Sequence, residues 1–219
     1  MGRIVEVNQE APQRAVLDDA ANVLRAGGVL VMPTDSVYGI GCAAMAGNPA
    51  HRKIFRIKRR DRAQTLPWLI ADPEDLVTYG RNVPLWMECL ARELWPGALT
   101  LVVQAGDAVP QEYRASNGTI ALRVPDSNLV RKLVRKVGPL ATTSANTHGE
   151  AAATSGSGVE RRIVRAADLT LDAGPAPLAV ASTIVGCDGA APRVYREGAI
   201  PSCRILQICS ASAQNKEVS

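Results

Sequence analysis

Short apolar runs alternate with segments of helical periodicity along most of this chain, and that alternation restricts it to an α/β architecture. The runs VLVMP, TLPWLIA, LTLVV, TIALRV, PLATTSAN, DLTLDAG, VASTIVG and PRVYREG read as strands, rich in β-branched or apolar residues. Between them, Val16, Ala20, Val23 and Leu24 repeat at helical spacing across residues 15–26, and Gly27 and Gly28 can stop that helix. Asn48 before Pro49 supplies a cap and first turn for a helix ending in the basic cluster Lys58, Arg59 and Arg60. Asp72 before Pro73 is expected to cap a short helix, and residues 84–94 form another, stopped by Pro96 and Gly97. Asp126 is expected to open a helix with the stripe Leu129, Val130, Leu133, Val134 and Val137. Ser157 and Glu160 have capping-box spacing ahead of Ile163.

With 219 residues the chain can bury one sizeable core, so a single domain over residues 1–205 is expected. From Ser210 the composition turns polar and small, and residues 206–219 read as a flexible C-terminal tail. No apolar run approaches the roughly 20 residues of a membrane helix. The opening MGRIVEVNQE lacks a secretory apolar stretch, so a cytoplasmic protein without a membrane partner is expected. The five cysteines form no C-x-x-C pair and read as reduced thiols. With His51 and His148 the only histidines, a histidine-rich metal centre or a Ser-His-Asp triad has little material. The formal charge of +4 suits an anionic ligand or nucleic acid without selecting either.

Four segments carry candidate chemistry. PTDSVYGIG, residues 33–41, sets hydroxyls and a carboxylate at the end of a buried strand, where α/β sheets hold ligands, although Asp35 and Ser36 would also suit a turn. IKRRDRAQTLP gathers Lys58, Arg59, Arg60 and Arg62 at a helix end, either a phosphate clamp or a solvated face. Arg123 interrupts an apolar strand, so it either reaches solvent by alternation or is held inside by an anion. Thr142, Thr143, Ser144 and Asn146 follow in TTSAN, and Ser182, Thr183, Arg193 and Arg196 mark the last pair of strands. No G-x-x-x-x-G-K-[ST] is present, so a nucleotide would not be held by a P-loop. GIGCAA lacks the strand-to-helix context of a dinucleotide fingerprint, and SGSGV makes no nucleophile elbow.

Taken in order, these blocks resemble the YrdC family of threonylcarbamoyl-AMP synthases. PTDSVYGIG is similar to the family's P-T-[DE]-[ST]-x-Y-G-[IL]-G, KRR with Leu66 to its K-x-R and P-L, and LWPGALTLVV, TIALRVP, TTSAN, ASTIV and PRVYREGAI to further blocks, over residues 12–200. The resemblance implies a twisted, open mixed sheet with helices around a concave electropositive cavity, in the short single-domain form. It also implies synthesis of threonylcarbamoyl-AMP and pyrophosphate from L-threonine, bicarbonate and ATP, with Mg2+ accompanying the ATP. A downstream threonylcarbamoyl transferase complex would then modify tRNA, and direct tRNA binding is one reading.

By motif position, Lys58 and Arg60 are implied to be catalytic, and Ser36, Arg123, Thr142 and Ser182 to bind threonine. Lys58, Arg60, Gln64, Thr119, Ser144, Asn146 and Arg196 are implied to bind ATP. Tyr38 is left to pack beneath the site, Asp35 to orient neighbours or assist magnesium, and no residue is implied as a protein metal ligand. The chain departs from the pattern at Asp61, Gln64, Thr65 and Ala181, which leaves room for altered substrate. The rival readings are a YrdC-type carbamoyltransferase component, as in hydrogenase maturation, and a non-catalytic RNA-binding module.

Overall fold

The apolar runs become strands of one mixed sheet in the computed structural model, which describes residues 2–61, 64–189 and 191–214. The strands are β1 (Arg3–Glu6), β2 (Leu30–Met32), β3 (Gly39–Ala43), β4 (Trp68–Leu69), β5 (Gly80–Arg81), β6 (Leu99–Ala105), β7 (Thr119–Arg123), β8 (Leu140–Ser144), β9 (Leu169–Asp172), β10 (Thr183–Asp188) and β11 (Ala191–Arg196). Their spatial order is β1-β9-β2-β3-β8-β4-β7-β6-β10-β11, with β5 pairing beside β6. Parallel pairs at β1/β9, β9/β2, β4/β7 and β6/β10 are combined with antiparallel ones, so the α/β expectation holds in a mixed sheet. The helices are α1 (Arg14–Arg25), α2 (Pro49–Lys58), α3 (Asp75–Tyr79), α4 (Leu85–Leu94), α5 (Asn128–Val137), α6 (Arg161–Ala166) and α7 (Ser202–Gln214). Among the described residues no helix is long and apolar enough to cross a membrane.

Local chemistry explains most boundaries. Asn48 caps α2 as expected, its Oδ1 accepting from the Ala50 amide at 2.9 Å. Ser127, rather than Asp126, caps α5, its hydroxyl accepting from the Val130 amide at 3.3 Å. Asp72 does not cap a helix; α3 starts at Asp75, whose carboxylate accepts the amides of Ala71 and Asp72. The expected capping box at Ser157 and Glu160 is not formed, because Glu160 turns to the amide and hydroxyl of Thr147. TLPWLIA pairs as a strand only at Trp68 and Leu69, since Pro67 has no N–H to give.

The tail expected from residue 206 is instead helical to Gln214. Ile205, Ile208 and Cys209 are buried on one side of α7, which lies against α4, and three or four residues apart they supply the stripe that the polar composition masks. Residues 215–219 lie outside the described residues.

Two apolar clusters divide the sheet's faces. On one face Ile40, Cys42, Leu101, Leu122 and Val185 pack with the buried sides of α2, α4, α6 and α7. On the other, Met32, Ala43, Leu69, Leu140, Leu169 and Leu171 pack with Leu17, Ala20 and Leu24 of α1 and Leu129, Val130 and Leu133 of α5. These two helices cover only part of that face. Beyond them it stays open, and there the cavity described below is found.

β3 was not expected as a strand, because glycine is disfavoured in strands and GIG read as loop. Its pairing with β8 explains the glycines. Gly39 is opposite Ser144 and Gly41 opposite Thr142. A Cβ on Gly39 would stand 2.8 Å from Thr142 Cγ2, and one on Gly41 would stand 2.5 Å from Thr142 Oγ1 and 2.9 Å from the Ala141 carbonyl. Thr142 therefore takes the space of both missing side chains. Gly41→Ala is expected to destabilise the fold by about 1–3 kcal/mol through overpacking. Urea unfolding should show Thr142→Ala in the same chain recovering part of that loss, because the clash with Oγ1 is then gone.

Candidate active site

The open part of the sheet floors a cavity of about 400 Å³. Strand register brings its floor together from six strands: Gly39 lies opposite Ser144, Leu69 opposite Arg123, and Ile184 opposite Thr100. Since side chains alternate along a strand, these residues face one side and their neighbours Ile40, Leu122 and Val185 fill the core beneath. Thr34, Ser36 and Val37 from the β2–β3 turn, Arg60 after α2, Glu150 and Ala152 after β8, and Ala181, Ser182 and Arg196 complete the walls.

Arg123 is the centre of this arrangement. Its side chain and that of Asp35 are only 7% and 5% exposed, with N–O separation 2.6 Å. The guanidinium also donates to Ser36 Oγ at 2.8 Å and to the Gly97 carbonyl at 2.9 Å. Three of its five N–H groups are thus held by protein, leaving two for a ligand. Burial lowers its pKa, opposed by the Asp35 carboxylate. Asp35 Oδ2 is buried with no partner inside the protein. The two alternatives for Arg123, solvent or an internal anion, resolve as the second, and the first anion is Asp35.

Arg60 and Arg196 flank this pair. Arg60 donates to Thr143 Oγ1 at 2.9 Å and to the Thr65 carbonyl at 3.0 Å, while its buried Nε has no partner in the protein. Burial lowers its pKa. Arg196 donates to the Ser182 carbonyl at 2.7 Å, and its pKa is lowered by burial and then by the nearby Arg123 charge. Ser182 Oγ lies 2.9 Å from Thr100 Oγ1, and Ser36 Oγ 3.1 Å from Thr34 Oγ1. Three guanidiniums and a set of hydroxyls therefore meet in one concave space.

Of the residues expected from sequence, Ser36, Arg60, Arg123, Thr142, Ser144, Asn146, Ser182 and Arg196 all line this cavity. Lys58 does not. It is buried beneath the cavity wall, with Nζ donating to the Ser144 carbonyl at 2.5 Å, the Asn146 carbonyl at 2.6 Å and Asn146 Oδ1 at 3.1 Å. An ammonium has three N–H groups, so none is left for a phosphate. Gln64 is exposed and outside the cavity lining, and Arg62 lies outside the described residues. Thr119 lies four residues before Arg123 on β7, about 13 Å away at strand rise, and lines a neighbouring groove with Gln104 and Asn117.

Sequence reasoning missed Thr100 as a wall residue, and it gave Thr34 and Thr143, present in the candidate segments PTDSVYGIG and TTSAN, no role of their own. The signal for Thr100 was a hydroxyl inside an apolar strand, as it was for Ser182. Tyr38 packs beneath the site, its hydroxyl donating to the Gly174 carbonyl at 2.7 Å and accepting from the Ala173 amide at 2.9 Å. Burial, joined by the Asp172 charge, pushes its pKa up to about 12. All five cysteines are free. Among the described residues no group of three His, Cys, Asp or Glu side chains is placed to hold a metal ion.

A family model for Sua5, YciO and YrdC, described as telomere recombination, matches residues 22–198. A Mycobacterium leprae protein provisionally named threonylcarbamoyl-AMP synthase is 34% identical over 189 residues, covering 86% of either chain. The Bacillus subtilis threonylcarbamoyl-AMP synthase is 34% identical over 197 residues, covering 89% of this chain and 56% of its own. Among solved structures, Pyrococcus abyssi Sua5 complexed with L-threonine superposes with a TM-score of 0.87 at 30% identity, over 94% of this chain and 60% of that one. The chain thus spans little more than half the length of the last two proteins.

The buried pair yields a test independent of any ligand. Asp35→Asn should destabilise the protein by about 3–5 kcal/mol, because the Arg123 charge is left buried without its counter-ion. In chemical denaturation, Asp35→Asn combined with Arg123→Met should be more stable than Asp35→Asn alone.

Proposed function

The chain belongs to the Sua5/YciO/YrdC family, and on that premise we propose that it is a threonylcarbamoyl-AMP synthase, a nucleotidyltransferase joining L-threonine, bicarbonate and the AMP part of ATP. The observation that carries the reading is the convergence of Arg60, Arg123 and Arg196 on one hydroxyl-lined cavity, with a buried Arg60 donor unmatched inside the protein. A buried donor without a partner costs about 1–3 kcal/mol, and an anionic ligand would remove that cost. The L-threonine bound by the Pyrococcus protein, whose fold this chain shares, supports the same choice of amino acid.

In this reading Arg123 holds the threonine carboxylate with its two remaining N–H groups. Asp35, Ser36 and Gly97 fix the guanidinium, so little rotational freedom is lost when the substrate binds. Ser36, Thr142 and Ser182 offer hydroxyls to the rest of the amino acid. The threonine nitrogen bonds to the carbon derived from bicarbonate, and water leaves as the carbamate forms. A carbamate oxygen then attacks the α-phosphorus of ATP, the bond to the β-phosphate oxygen breaks, and pyrophosphate departs with its charge.

Arg60 and Arg196, which line the cavity, would stabilise charge gathering on the phosphates in that step. Ser144 adds a hydroxyl, and the nucleotide would run along the β7 face toward Thr119. Magnesium, accompanying ATP as part of the substrate, would supply positive charge to the departing pyrophosphate. The product would pass to a transferase complex acting on tRNA in the cytoplasm.

Purified protein with ATP, magnesium and bicarbonate should release pyrophosphate only when L-threonine is added, with a product of threonylcarbamoyl-adenylate mass. Release that instead needs carbamoyl phosphate would assign the chain to the carbamoyltransferase branch, and RNA binding without turnover would make it a binding module. Arg60→Ala should weaken ATP use by about tenfold or more, roughly 1.4 kcal/mol, with threonine binding little changed. Arg123→Ala should do the reverse, and equal effects in paired titrations would overturn these two roles.

A further inference from the structure

Lys58 is 1% exposed, one of the most deeply buried charged side chains in the protein, and no step above uses it. Its three N–H groups meet three oxygens of one short turn, the carbonyls of Ser144 and Asn146 and the Asn146 side-chain oxygen. The same Asn146 Oδ1 also accepts from the Ser144 hydroxyl at 2.5 Å. Asn146 Nδ2 donates to the carbonyls of Thr147 and Glu150, at 3.1 and 2.6 Å. Every polar group of the Asn146 side chain is therefore engaged within the protein, and its place in the cavity wall is that of a brace.

The bracing continues outward. The Lys58 carbonyl accepts from the His148 amide at 2.9 Å, so the end of α2 is tied to the loop after β8 by both side chain and backbone. Thr147 is held by Glu160, and Arg162 of α6 donates both to Thr147 Oγ1 at 2.5 Å and, by a short contact, to the Ile57 carbonyl at the end of α2. Glu150 and Ala152, on the loop so fixed, line the cavity.

We propose that Lys58 is a positioning residue, whose ammonium ties the end of α2 to the Ser144–Asn146 turn and so holds the wall shared by amino acid and nucleotide, rather than a phosphate ligand. The inference rests on the proposed reaction for its functional consequence, and on the hydrogen bonds alone for its structural one. A compact ammonium with three rotatable donors suits three oxygens converging on one point, whereas the planar fork of arginine does not. Burial, then the charge of Arg60, lowers the Lys58 pKa to about 8, with Glu160 opposing and Arg162 adding to the effect. His148 and Glu150, on the loop the turn leads into, meet this corner through backbone groups, and both residues are exposed. Around neutral pH the ammonium form, with all three donors, still prevails.

Two measurements on Lys58→Met test the proposal, and Asn146→Asp, which keeps Lys58 and its acceptor but removes the Nδ2 braces, serves as a second variant should the first fold poorly. Amide hydrogen exchange should quicken about tenfold across residues 145–152, a loss of roughly 1.4 kcal/mol of local stability. Affinities for L-threonine, AMP and ATP should fall by similar factors, since all three use the same wall. Unchanged exchange, with ATP affinity falling about tenfold while L-threonine and AMP bind as before, would overturn the proposal and return Lys58 to the phosphates. Exchange is read without substrate, so this outcome stays separable from failure of threonine-dependent pyrophosphate release in the unaltered protein.

Discussion

The buried ion pair between Arg123 and Asp35 is the contact on which the cavity depends, because it joins the end of β7 to the β2–β3 turn at the centre of the open sheet face. Removing two charges from water costs several kcal/mol for each ion, and the pair recovers that only with good geometry and further hydrogen bonds. Arg123 has them in Ser36 and the Gly97 carbonyl; Asp35 keeps one oxygen unmatched. The pair is therefore not explained by stability alone. It makes sense as a preset guanidinium, held at a fixed place and angle before any ligand arrives.

Around that centre, the cavity is defined by what the helices do not cover. α1 and α5 pack on the same face as the floor residues, over the part built from Met32, Ala43 and Leu140, and then stop. Thr142 illustrates the join between packing and chemistry. Its side chain takes the Cβ space of Gly39 and Gly41, which lets β3 lie in the sheet, and the same residue lines the cavity. Lys58 makes a similar link from below, as its buried ammonium organises a turn whose outer side is cavity wall.

Much of the fold was legible from pattern. The strongly apolar runs became strands, and the stripe Leu129, Val130, Leu133 and Val134 became the buried side of α5. The errors have physical causes. β3 was hidden because two glycines remove the strand signal, and their reason lies on another strand. α7 was read as tail because serine and alanine outnumber its few buried apolar residues. Capping at Asp126 and Ser157 failed for one reason: a short polar side chain has several backbone and side-chain partners within reach, and the chain's path decides among them.

For the site, sequence supplied the residue types and their order, since hydroxyls, arginines and glycines at strand ends follow directly from the chain. Which of them meet is set by register, because residues 39, 69, 100, 123, 144 and 184 come together only when their strands pair as they do. Sequence alone could not separate Lys58 from Arg60, two cations two residues apart. The α2 backbone ends between them, with Arg59 in the left-handed conformation at φ 52°. The chain's change of direction there leaves Lys58 buried beneath the wall and Arg60 lining the cavity. The sequence determined the α/β class and the reactive inventory through periodicity and composition, which are local. Burial, pairing and the number of N–H groups left for a ligand were decided by tertiary structure, because each depends on partners from distant parts of the chain.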